Sequence, residues 1–236
     1  RGLGDVYKRQ TKRCCLGLAC GDDVEIDRLR LIDFMYRAYA NGKNDKVDFL
    51  VFPEFYMPLQ WISDVLAFVR KSGITVVSGL QYVTSGHQAY NNVAIFAPVN
   101  TGRYTSSVLF AREKNDYAPM ERQLLALEKY ICVDQEKPVY QMINNRGIDY
   151  GLFLCYEFTD IIARALYKDK VDIIFTPEHN RDTSYFSNII ETTARDLHVF
   201  IVQANTSIYG DSRITGPFGR NDRNVLQIKG GDKDDI

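Results

Sequence analysis

The sequence is poor in the residues that build metal centres and disulfide frameworks. Its 236 residues include three histidines and five cysteines; the cysteines are Cys14, Cys15, Cys20, Cys132 and Cys155. Their number is odd and no C-x-x-C pair occurs, so neither a disulfide framework nor a zinc site is expected. The histidines are scattered along the chain at positions 87, 179 and 198. We therefore expect no metal and no cofactor, and a reducing, cytoplasmic setting fits the free thiols best.

The sequence also lacks a long apolar run and an excess of either charge. No stretch approaches the roughly 20 apolar residues of a membrane-spanning helix, and residues 1–13 lack the hydrophobic centre of a secretory signal. The net charge is −1, with 25% charged and 45% hydrophobic residues, which is typical of a globular protein. Without a basic stripe, nucleic-acid binding is not indicated.

The two ends of the chain differ from the rest. Residues 1–10 show no periodicity, and we expect residues 1–13 to be a leader that is non-native or disordered. Residues 229–235 are polar and stop abruptly, which is consistent with a domain truncated at its carboxyl end and cut from a longer polypeptide. Between the ends no linker or internal repeat divides the sequence, so we expect a single domain over residues 14–236.

Apolar strand patterns alternate with helical periodicity through the chain. Strands are predicted over residues 15–20, 47–52, 74–78, 92–98, 104–110, 151–154, 171–176 and 199–204, and helices over residues 27–40, 61–71, 160–167 and 188–197. Asn100-Thr101-Gly102 is a turn signal between two of the strands and indicates a hairpin. This alternation predicts an α/β layered domain, and the hairpin predicts mixed rather than purely parallel sheets.

Cys155 lies where an apolar strand pattern gives way to helical spacing that begins at Phe158. The unpaired N–H groups and partial positive charge of a helix amino-terminus favour a thiolate over a thiol, which makes Cys155 a candidate nucleophile. Two alternatives stay open. Most free cysteines are buried structural residues, and a redox-sensing thiol is conceivable, although no resolving cysteine lies nearby in the sequence.

Three charged residues could serve such a thiol. Glu54 ends an apolar strand pattern, at the edge where open α/β sheets place their ligand crevices. Desolvation there would suit a carboxylate to proton transfer near neutrality. Lys114 could stabilise an oxyanion, and Glu121 could pair with Lys114 and orient it. A solvated loop or surface position is the commoner place for any single glutamate or lysine.

The order and contexts of three motifs resemble the nitrilase superfamily of carbon–nitrogen hydrolases. The motifs are V-F-P-E at residues 51–54, K-x-x-Y-x-P-x-E at residues 114–121 and L-C-Y-E at residues 154–157. Four shorter segments add to the resemblance: Tyr90-Asn91-Asn92, Ala194-Arg195-Asp196, Gln203-Ala204-Asn205 and Gly216-Pro217-Phe218-Gly219. Any one motif is weak, but three in the right order are specific, and the resemblance extends from about residue 14 to residue 218.

The resemblance implies a fold and a reaction. The fold is the four-layer α-β-β-α sandwich of the nitrilase type, usually assembled as a homodimer or larger homo-oligomer. The reaction is hydrolysis of a small amide or nitrile through a thioester. In it Glu54 is the general base, Lys114 the stabilising lysine and Cys155 the nucleophile, and Glu121 matches a second glutamate that is frequent in the family. The backbone N–H of Tyr156 would help hold the oxyanion.

The sequence departs from the family where the substrate should bind. The usual arginine and Phe-Pro after the cysteine motif are replaced by Phe158-Thr159-Asp160. The segment after the strand at residues 171–176 is unusually polar and includes Glu178, His179 and Asn180. We expect these three residues to contact the substrate, with a solvated loop or a subunit contact as an equal alternative.

Two other functional classes were weighed. Nitrilase-like domains also occur joined to other catalytic domains, including glutamine-dependent synthetases and defence-associated reverse transcriptases. The chain could therefore be a non-catalytic or regulatory module of a larger antiviral defence protein, although its complete triad argues against a degenerate site. A serine hydrolase is disfavoured because no G-x-S-x-G motif is present.

Overall fold

The computed structural model describes residues 22–41, 47–219 and 223–230. The chain divides into two compact units. The first comprises the residues up to Val83 together with Asn91–Arg112, and the second comprises Thr84–Tyr90 and the residues from Glu113 onward. The predicted strand at residues 15–20, the predicted leader, Cys14, Cys15 and Cys20 lie outside the described residues. The predicted single domain over residues 14–236 stays a prediction.

The described helices and strands alternate along the chain. The helices are α1 (Asp22–Asn41), α2 (Ile62–Ser72), α3 (Pro119–Leu127), α4 (Ile161–Ala165) and α5 (Thr183–Leu197), with short 3-10 helices at Leu59–Trp61 and Cys155–Thr159. The strands are β1 (Phe49–Met57), β2 (Thr75–Leu80), β3 (Val83–Ser85), β4 (Gln88–Tyr90), β5 (Asn92–Asn100), β6 (Thr105–Glu113), β7 (Ile131–Cys132), β8 (Met142–Asn145), β9 (Ile148–Leu152), β10 (Ile173–Glu178), β11 (Phe200–Asn205), β12 (Ser212–Thr215) and β13 (Asn224–Ile228).

The first unit contains a four-stranded mixed sheet in the order β1-β2-β5-β6. β1 and β2 are parallel, whereas β2 and β5 are antiparallel. The predicted hairpin joins β5 to β6: the Asn100 side chain accepts a hydrogen bond from the Gly102 N–H. Gly102 adopts a φ of 80°, which glycine reaches without the steric cost of a side chain. The turn signal in the sequence therefore predicted the strand pairing correctly.

Two helices cover this sheet because each has an apolar stripe. α1 buries Leu31 and Met35, which are one helical turn apart, and α2 buries Val65 and Phe68 in the same cluster as strand residues such as Phe96. This spacing of three and four residues is the one the sequence showed. α2 ends where Gly73, at a φ of 72°, donates its N–H to the carbonyl of Val69, a common helix terminus.

The second unit is built on a six-stranded mixed sheet in the order β13-β12-β11-β10-β9-β8. Its central strands β9, β10 and β11 run parallel, and β8, β12 and β13 are antiparallel to their neighbours. A smaller three-stranded sheet has the order β3-β4-β7. Because β9, β10 and β11 are parallel, the segments that follow them emerge at the same edge of the sheet.

α5 packs on this sheet through a buried face. It contributes Phe186, Ile190 and Ala194 to an apolar cluster that also contains Phe153 and Ile174. The helix begins at Thr183, earlier than the predicted start at residue 188, because the Asp182 side chain caps it by accepting the N–H of Tyr185. Capping by aspartate is a strong helix-start signal, so this boundary could have been read from the sequence.

The α/β class with mixed sheets is confirmed. The layered character is seen within each unit as helices packed on a sheet, and the stacking of four layers remains what the family resemblance implies. Among the described helices, none is long and apolar enough to cross a membrane.

Candidate active site

Cys155 lies just beyond the carboxyl end of β9, three residues after Leu152. Its side chain is 9% exposed and its backbone has a φ of 49°, in the left-handed region that non-glycine residues rarely adopt. The helix predicted over residues 160–167 is present as α4, but the helical spacing that begins at Phe158 does not belong to it. A five-residue 3-10 helix starts at Cys155 itself, and α4 begins only at Ile161 after the cap residue Asp160.

This difference changes the electrostatic argument for the thiol. The expected helix dipole is replaced by a single tight turn followed by a five-residue helix. Such short elements offer fewer aligned peptide dipoles than a long helix does. Stabilisation of a Cys155 thiolate therefore depends on nearby charged groups more than the sequence pattern suggested.

The carboxyl ends of three parallel strands place several candidate residues at one sheet edge. Leu152 of β9 pairs with Phe175 of β10. Cys155 follows Leu152 by three residues and Glu178 follows Phe175 by three residues, so both lie near the carboxyl ends of these adjacent strands. Glu178 in turn pairs with Asn205 of β11. The sheet thus brings the thiol segment and the polar segment after β10 to the same edge.

Lys114 and Glu121 form a buried ion pair. The Lys114 ammonium lies 2.7 Å from a Glu121 carboxylate oxygen, and the two side chains are 1% and 11% exposed. Glu121 also accepts the N–H of Ala118 at the start of α3, which fixes its carboxylate at the helix entrance. The predicted pairing of Lys114 with Glu121 is therefore present, and neither residue is a surface charge.

Glu54 is buried within β1 rather than solvated in a loop. Its side chain is 4% exposed, and its carboxylate accepts a 2.9 Å hydrogen bond from the Asn91 amide. The strand was predicted to end at Glu54, but it continues to Met57 with a register shift. Phe55, with a φ of 61°, marks this irregularity immediately after Glu54.

Gly79 of β2 makes room for the backbone of Glu54. A Cβ atom at position 79 would lie 2.5 Å from the Glu54 Cα atom, closer than packed carbon atoms approach. The sequence showed Asn91 only as part of a motif, and no sequence signal gave Gly79 a role. Their contacts with Glu54 depend on strand pairing within the first unit, which the sequence did not specify.

The structure brings some of the predicted catalytic residues together. Lys114 and Glu121 are in direct contact within the second unit, which also contains Cys155. Glu54 belongs to the first unit. The convergence of Glu54, Lys114 and Cys155 on one substrate stays a prediction.

The predicted substrate-binding residues are more buried than a solvated segment would be. Glu178 is fully buried and accepts hydrogen bonds from the Gln203 amide at 2.7 Å and the Thr176 hydroxyl at 3.2 Å. Tyr156 is partly buried, and its carbonyl accepts the Thr159 hydroxyl. These contacts hold the residues at the sheet edge.

His179 is partly buried beside an aromatic ring and a charged pair. Its ring lies 5.4 Å from that of Tyr209. Desolvation is the main cause that lowers the pKa of His179; the charge of Glu121 opposes the shift and that of Lys114 adds to it. His179 is therefore electrostatically coupled to the Lys114–Glu121 pair, which favours a place at the site over a solvated loop.

Asn180 is hydrogen-bonded to residues of its own loop and of β11. Its side-chain oxygen accepts the N–H of Asp182, and its backbone N–H and carbonyl both bond to the Asn205 side chain. This network shapes the loop that leads into α5. Its contact with a substrate stays a prediction.

Across the part of the chain that the structure describes, no group of three or more His, Cys, Asp or Glu residues is arranged to hold a metal ion. The charged candidates Lys114, Glu121 and Glu178 are buried or nearly so, and the Cys155 thiol lies just beyond the end of β9. A thiol, a paired ammonium and carboxylates are the groups needed for nucleophilic attack on a carbonyl or nitrile carbon.

Comparison with known proteins agrees with this geometry. The family model for carbon–nitrogen hydrolases matches residues 27–221. The chain belongs to the carbon–nitrogen hydrolase family. It is 24% identical over 201 residues to an (R)-stereoselective amidase from Pseudomonas sp., an alignment that covers 73% of this chain and 67% of the relative.

Solved structures of this family share the fold. A nitrilase-superfamily amidase from Nesterenkonia AN1, in a cysteine-to-alanine mutant, aligns with a TM-score of 0.59 at 19% identity, covering 86% of this chain and 81% of the amidase. Another structure of that amidase, with acrylamide added to its active-site cysteine, aligns with a TM-score of 0.61 at 18% identity, covering 86% and 84%. The nitrilase-type fold and the enzyme class predicted from the motifs are thus confirmed for this carbon–nitrogen hydrolase.

The close approach of Gly79 to Glu54 yields a stability prediction. Gly79→Ala places a methyl group against the Glu54 backbone, and overpacking of this kind costs about 1–3 kcal/mol of unfolding free energy. Gly219→Ala is the matched control, because nothing lies within 4 Å of a Cβ added there. Denaturant unfolding of both variants measures the difference; equal stability of the two would contradict the tight contact.

The lowered pKa of His179 yields a pH prediction. The unfolded chain takes up a proton below about pH 6.5 that the folded protein resists, so the free energy of unfolding falls as the pH drops through that value. His179→Phe keeps an aromatic ring beside Tyr209 but cannot be protonated, so its stability should fall less steeply. Urea unfolding between about pH 8 and pH 5.5 compares the slopes. Identical slopes would show that His179 is protonated equally easily in both states.

Proposed function

We propose that this protein is a cysteine-dependent amidase that hydrolyses a small, non-peptide carbon–nitrogen bond through a thioester. In this proposal Cys155 is the nucleophile, Glu54 the general base and acid, and Lys114 the oxyanion-stabilising cation. Glu121 holds Lys114 in place. Nitriles are a second class of substrate that the same groups could attack, and the similarity to amidases supports amides as the first class to test.

The observation that carries the proposal is the backbone of Cys155. A buried cysteine at a φ of 49° is a local strain that folded proteins retain where the surroundings impose it, often at active sites. The turn presents the residue at the carboxyl edge of β9, where ligands of α/β sheets bind. A structural cysteine inside a core gains nothing from such a conformation.

Glu54 would move the proton in the first step. A free thiol has a pKa near 8.5, so only a small fraction is thiolate at neutral pH. As the sulfur attacks the amide carbon, its proton would pass to the Glu54 carboxylate, and Glu54 would then deliver it to the departing amine. The hydrogen bond from Asn91 leaves the carboxylate fixed in orientation, which general acid–base transfer requires.

The negative charge that develops on the carbonyl oxygen would be held by two donors. One is the Lys114 ammonium and the other is the backbone N–H of Tyr156. Losing one such donor typically costs roughly 3 kcal/mol of transition-state stabilisation. Because Lys114 is buried and paired with Glu121, its charge needs little reorganisation when the oxyanion forms.

Hydrolysis of the thioester would complete the cycle. Water attacks the thioester carbon while Glu54 accepts a water proton, the carbon–sulfur bond breaks, and the acid product leaves as the thiol regains a proton. Each step uses groups present in the chain and needs no metal or redox cofactor. The free thiol would be preserved in a reducing compartment, consistent with the expected cytoplasmic location.

Glu178 and His179 would shape the substrate pocket. Both lie at the carboxyl edge of β10 next to the thiol segment, and a buried carboxylate with a partly buried imidazole favours substrates that carry polar groups. Tyr156 and Asn180 would frame the same pocket.

Cysteine replacement tests the proposal. Cys155→Ala and Cys155→Ser should abolish ammonia release from a panel of amides, nitriles and ureas, and the thioester adduct seen by mass spectrometry in the wild type should disappear. Cys132→Ala is the matched control and should keep full turnover. Burial is the main cause that raises the pKa of the Cys132 thiol to about 11, so this cysteine stays protonated.

Full turnover by Cys155→Ala would refute the proposal. If the wild type releases no ammonia and its Cys155 resists alkylation near neutral pH, the alternative of a non-catalytic module in a larger defence protein would be supported instead. A thiol at Cys155 that is alkylated much faster than Cys132 favours catalysis.

The expected homodimer is part of the proposal. Ile161 and Ile162 of α4 are 72% and 74% exposed, and exposed apolar side chains of this size are often covered in an assembly. Sedimentation velocity should give a dimer or larger homo-oligomer for the wild type, and Ile161→Lys with Ile162→Lys should shift it toward monomer. A wild type that sediments as a monomer at micromolar concentration would contradict this part.

A further inference from the structure

Glu157 is a buried carboxylate to which the proposed reaction gives no role. It lies two residues after Cys155 in the 3-10 helix, and its side chain is 1% exposed. Buried glutamates are rare unless their oxygens are hydrogen-bonded. The partners of Glu157 therefore indicate why it is there.

The Glu157 carboxylate joins the lysine segment to the cysteine segment. One oxygen accepts the backbone N–H of Asn115 at 2.5 Å, and the other accepts the backbone N–H of Leu154 at 2.8 Å. Asn115 directly follows Lys114, and Leu154 directly precedes Cys155. A single side chain thus contacts the main chain next to both residues, across 42 positions of sequence.

The lysine segment is held from a second side as well. The Asn115 amide donates to the Val139 carbonyl at 3.0 Å, and the Val139 N–H donates to the Asn115 side-chain oxygen at 2.9 Å. Together with the Lys114–Glu121 pair, these bonds anchor the lysine segment, so Glu157 connects an anchored segment to the cysteine segment. Hydrogen bonds to a charged acceptor are also stronger than neutral ones.

We propose that Glu157 is a positioning residue that sets the distance between the Lys114 ammonium and the Cys155 sulfur. Its two oxygens act as a brace of fixed length between the two backbone segments. The inference rests on the roles proposed above for Lys114 and Cys155. In this proposal Glu157 acts through the positions of Lys114 and Cys155 and not on the substrate.

The chemistry of the brace requires a carboxylate of this length. Glu157→Gln preserves the volume but has a single acceptor oxygen, so its amide N–H₂ would face one of the two backbone donors. Glu157→Asp keeps the charge and both acceptors but is one methylene shorter, so it cannot reach both segments at once. Glu157→Gln removes one acceptor oxygen and Glu157→Asp shortens the side chain, and either change breaks the contact with one of the two segments.

The experiment combines turnover with thiol reactivity. For Glu157→Gln we expect kcat to fall on the order of 100-fold, as a misplacement of about 1 Å can produce, while KM changes by less than about threefold. The rate of Cys155 alkylation by iodoacetamide is followed against pH by mass spectrometry of its peptide. In Glu157→Gln the midpoint of this pH dependence should move to higher pH, because the displaced Lys114 ammonium no longer stabilises the Cys155 thiolate.

The direction in which the alkylation midpoint shifts distinguishes a positioning role of Glu157 from the effect of losing its charge. Removing a nearby negative charge would by itself favour the thiolate and move the midpoint to lower pH. An upward movement in Glu157→Gln, with a similar kcat loss in Glu157→Asp, supports the brace. A downward or unchanged midpoint, or wild-type kcat in Glu157→Asp, overturns it.

Glu191→Gln is the matched control for loss of a structural carboxylate. Glu191 binds Arg213 and Arg223 in the same unit, so its loss should lower the denaturation midpoint without changing kcat or the alkylation profile. If Glu157→Gln does not fold, Glu157→Asp, which retains the buried charge, carries the test. Alkylation needs no turnover, so a wild type that hydrolyses no amide would refute the proposed function while the brace is still tested.

Discussion

The buried ion pair between Lys114 and Glu121 is the constraint on which the candidate site depends. An ammonium that is 1% exposed is tolerated only with a partner, and removing one member of such a pair typically costs about 3–5 kcal/mol. Glu121 is in turn fixed at the entrance of α3 by the N–H of Ala118. The pair therefore links the charge to which the proposed reaction assigns oxyanion stabilisation to the start of a helix.

The same principle recurs at the other buried candidate carboxylates, each within its own unit. Glu54 is oriented by Asn91, Glu178 by Gln203 and Thr176, and Glu157 by two backbone N–H groups. Each of these carboxylates lies on or just beyond a strand, where packing fixes the backbone. Burying a carboxylate is costly, and its hydrogen bonds hold each of these side chains in a single orientation. Rigid placement of this kind is what electrostatic catalysis uses.

Apolar periodicity, the turn signal and the motifs let much of the fold be predicted. Leu31 and Met35 in α1, the apolar runs of β1, β2, β10 and β11, and the turn at Gly102 each have local causes that act within a few residues. The helix predicted over residues 160–167 is present, but the apolar spacing at Phe158 was misleading, because the cap at Asp160 separates the 3-10 helix that starts at Cys155 from α4. The early start of α5 was missed because the Asp182 cap was not used.

By itself, the sequence determined the α/β class, the family and the identity of the charged candidates, since periodicity, turns and motifs are written in neighbouring residues. Only the tertiary structure decided that Lys114 and Glu121 are buried together, that Asn91 and Gly79 serve Glu54, and that Glu157 spans two segments. These contacts join residues up to 42 positions apart, and their pairing follows from strand register and packing. Strand register and packing cannot be read from any single stretch of the sequence, because the burial of a side chain and its choice of partner depend on residues that are distant in the chain.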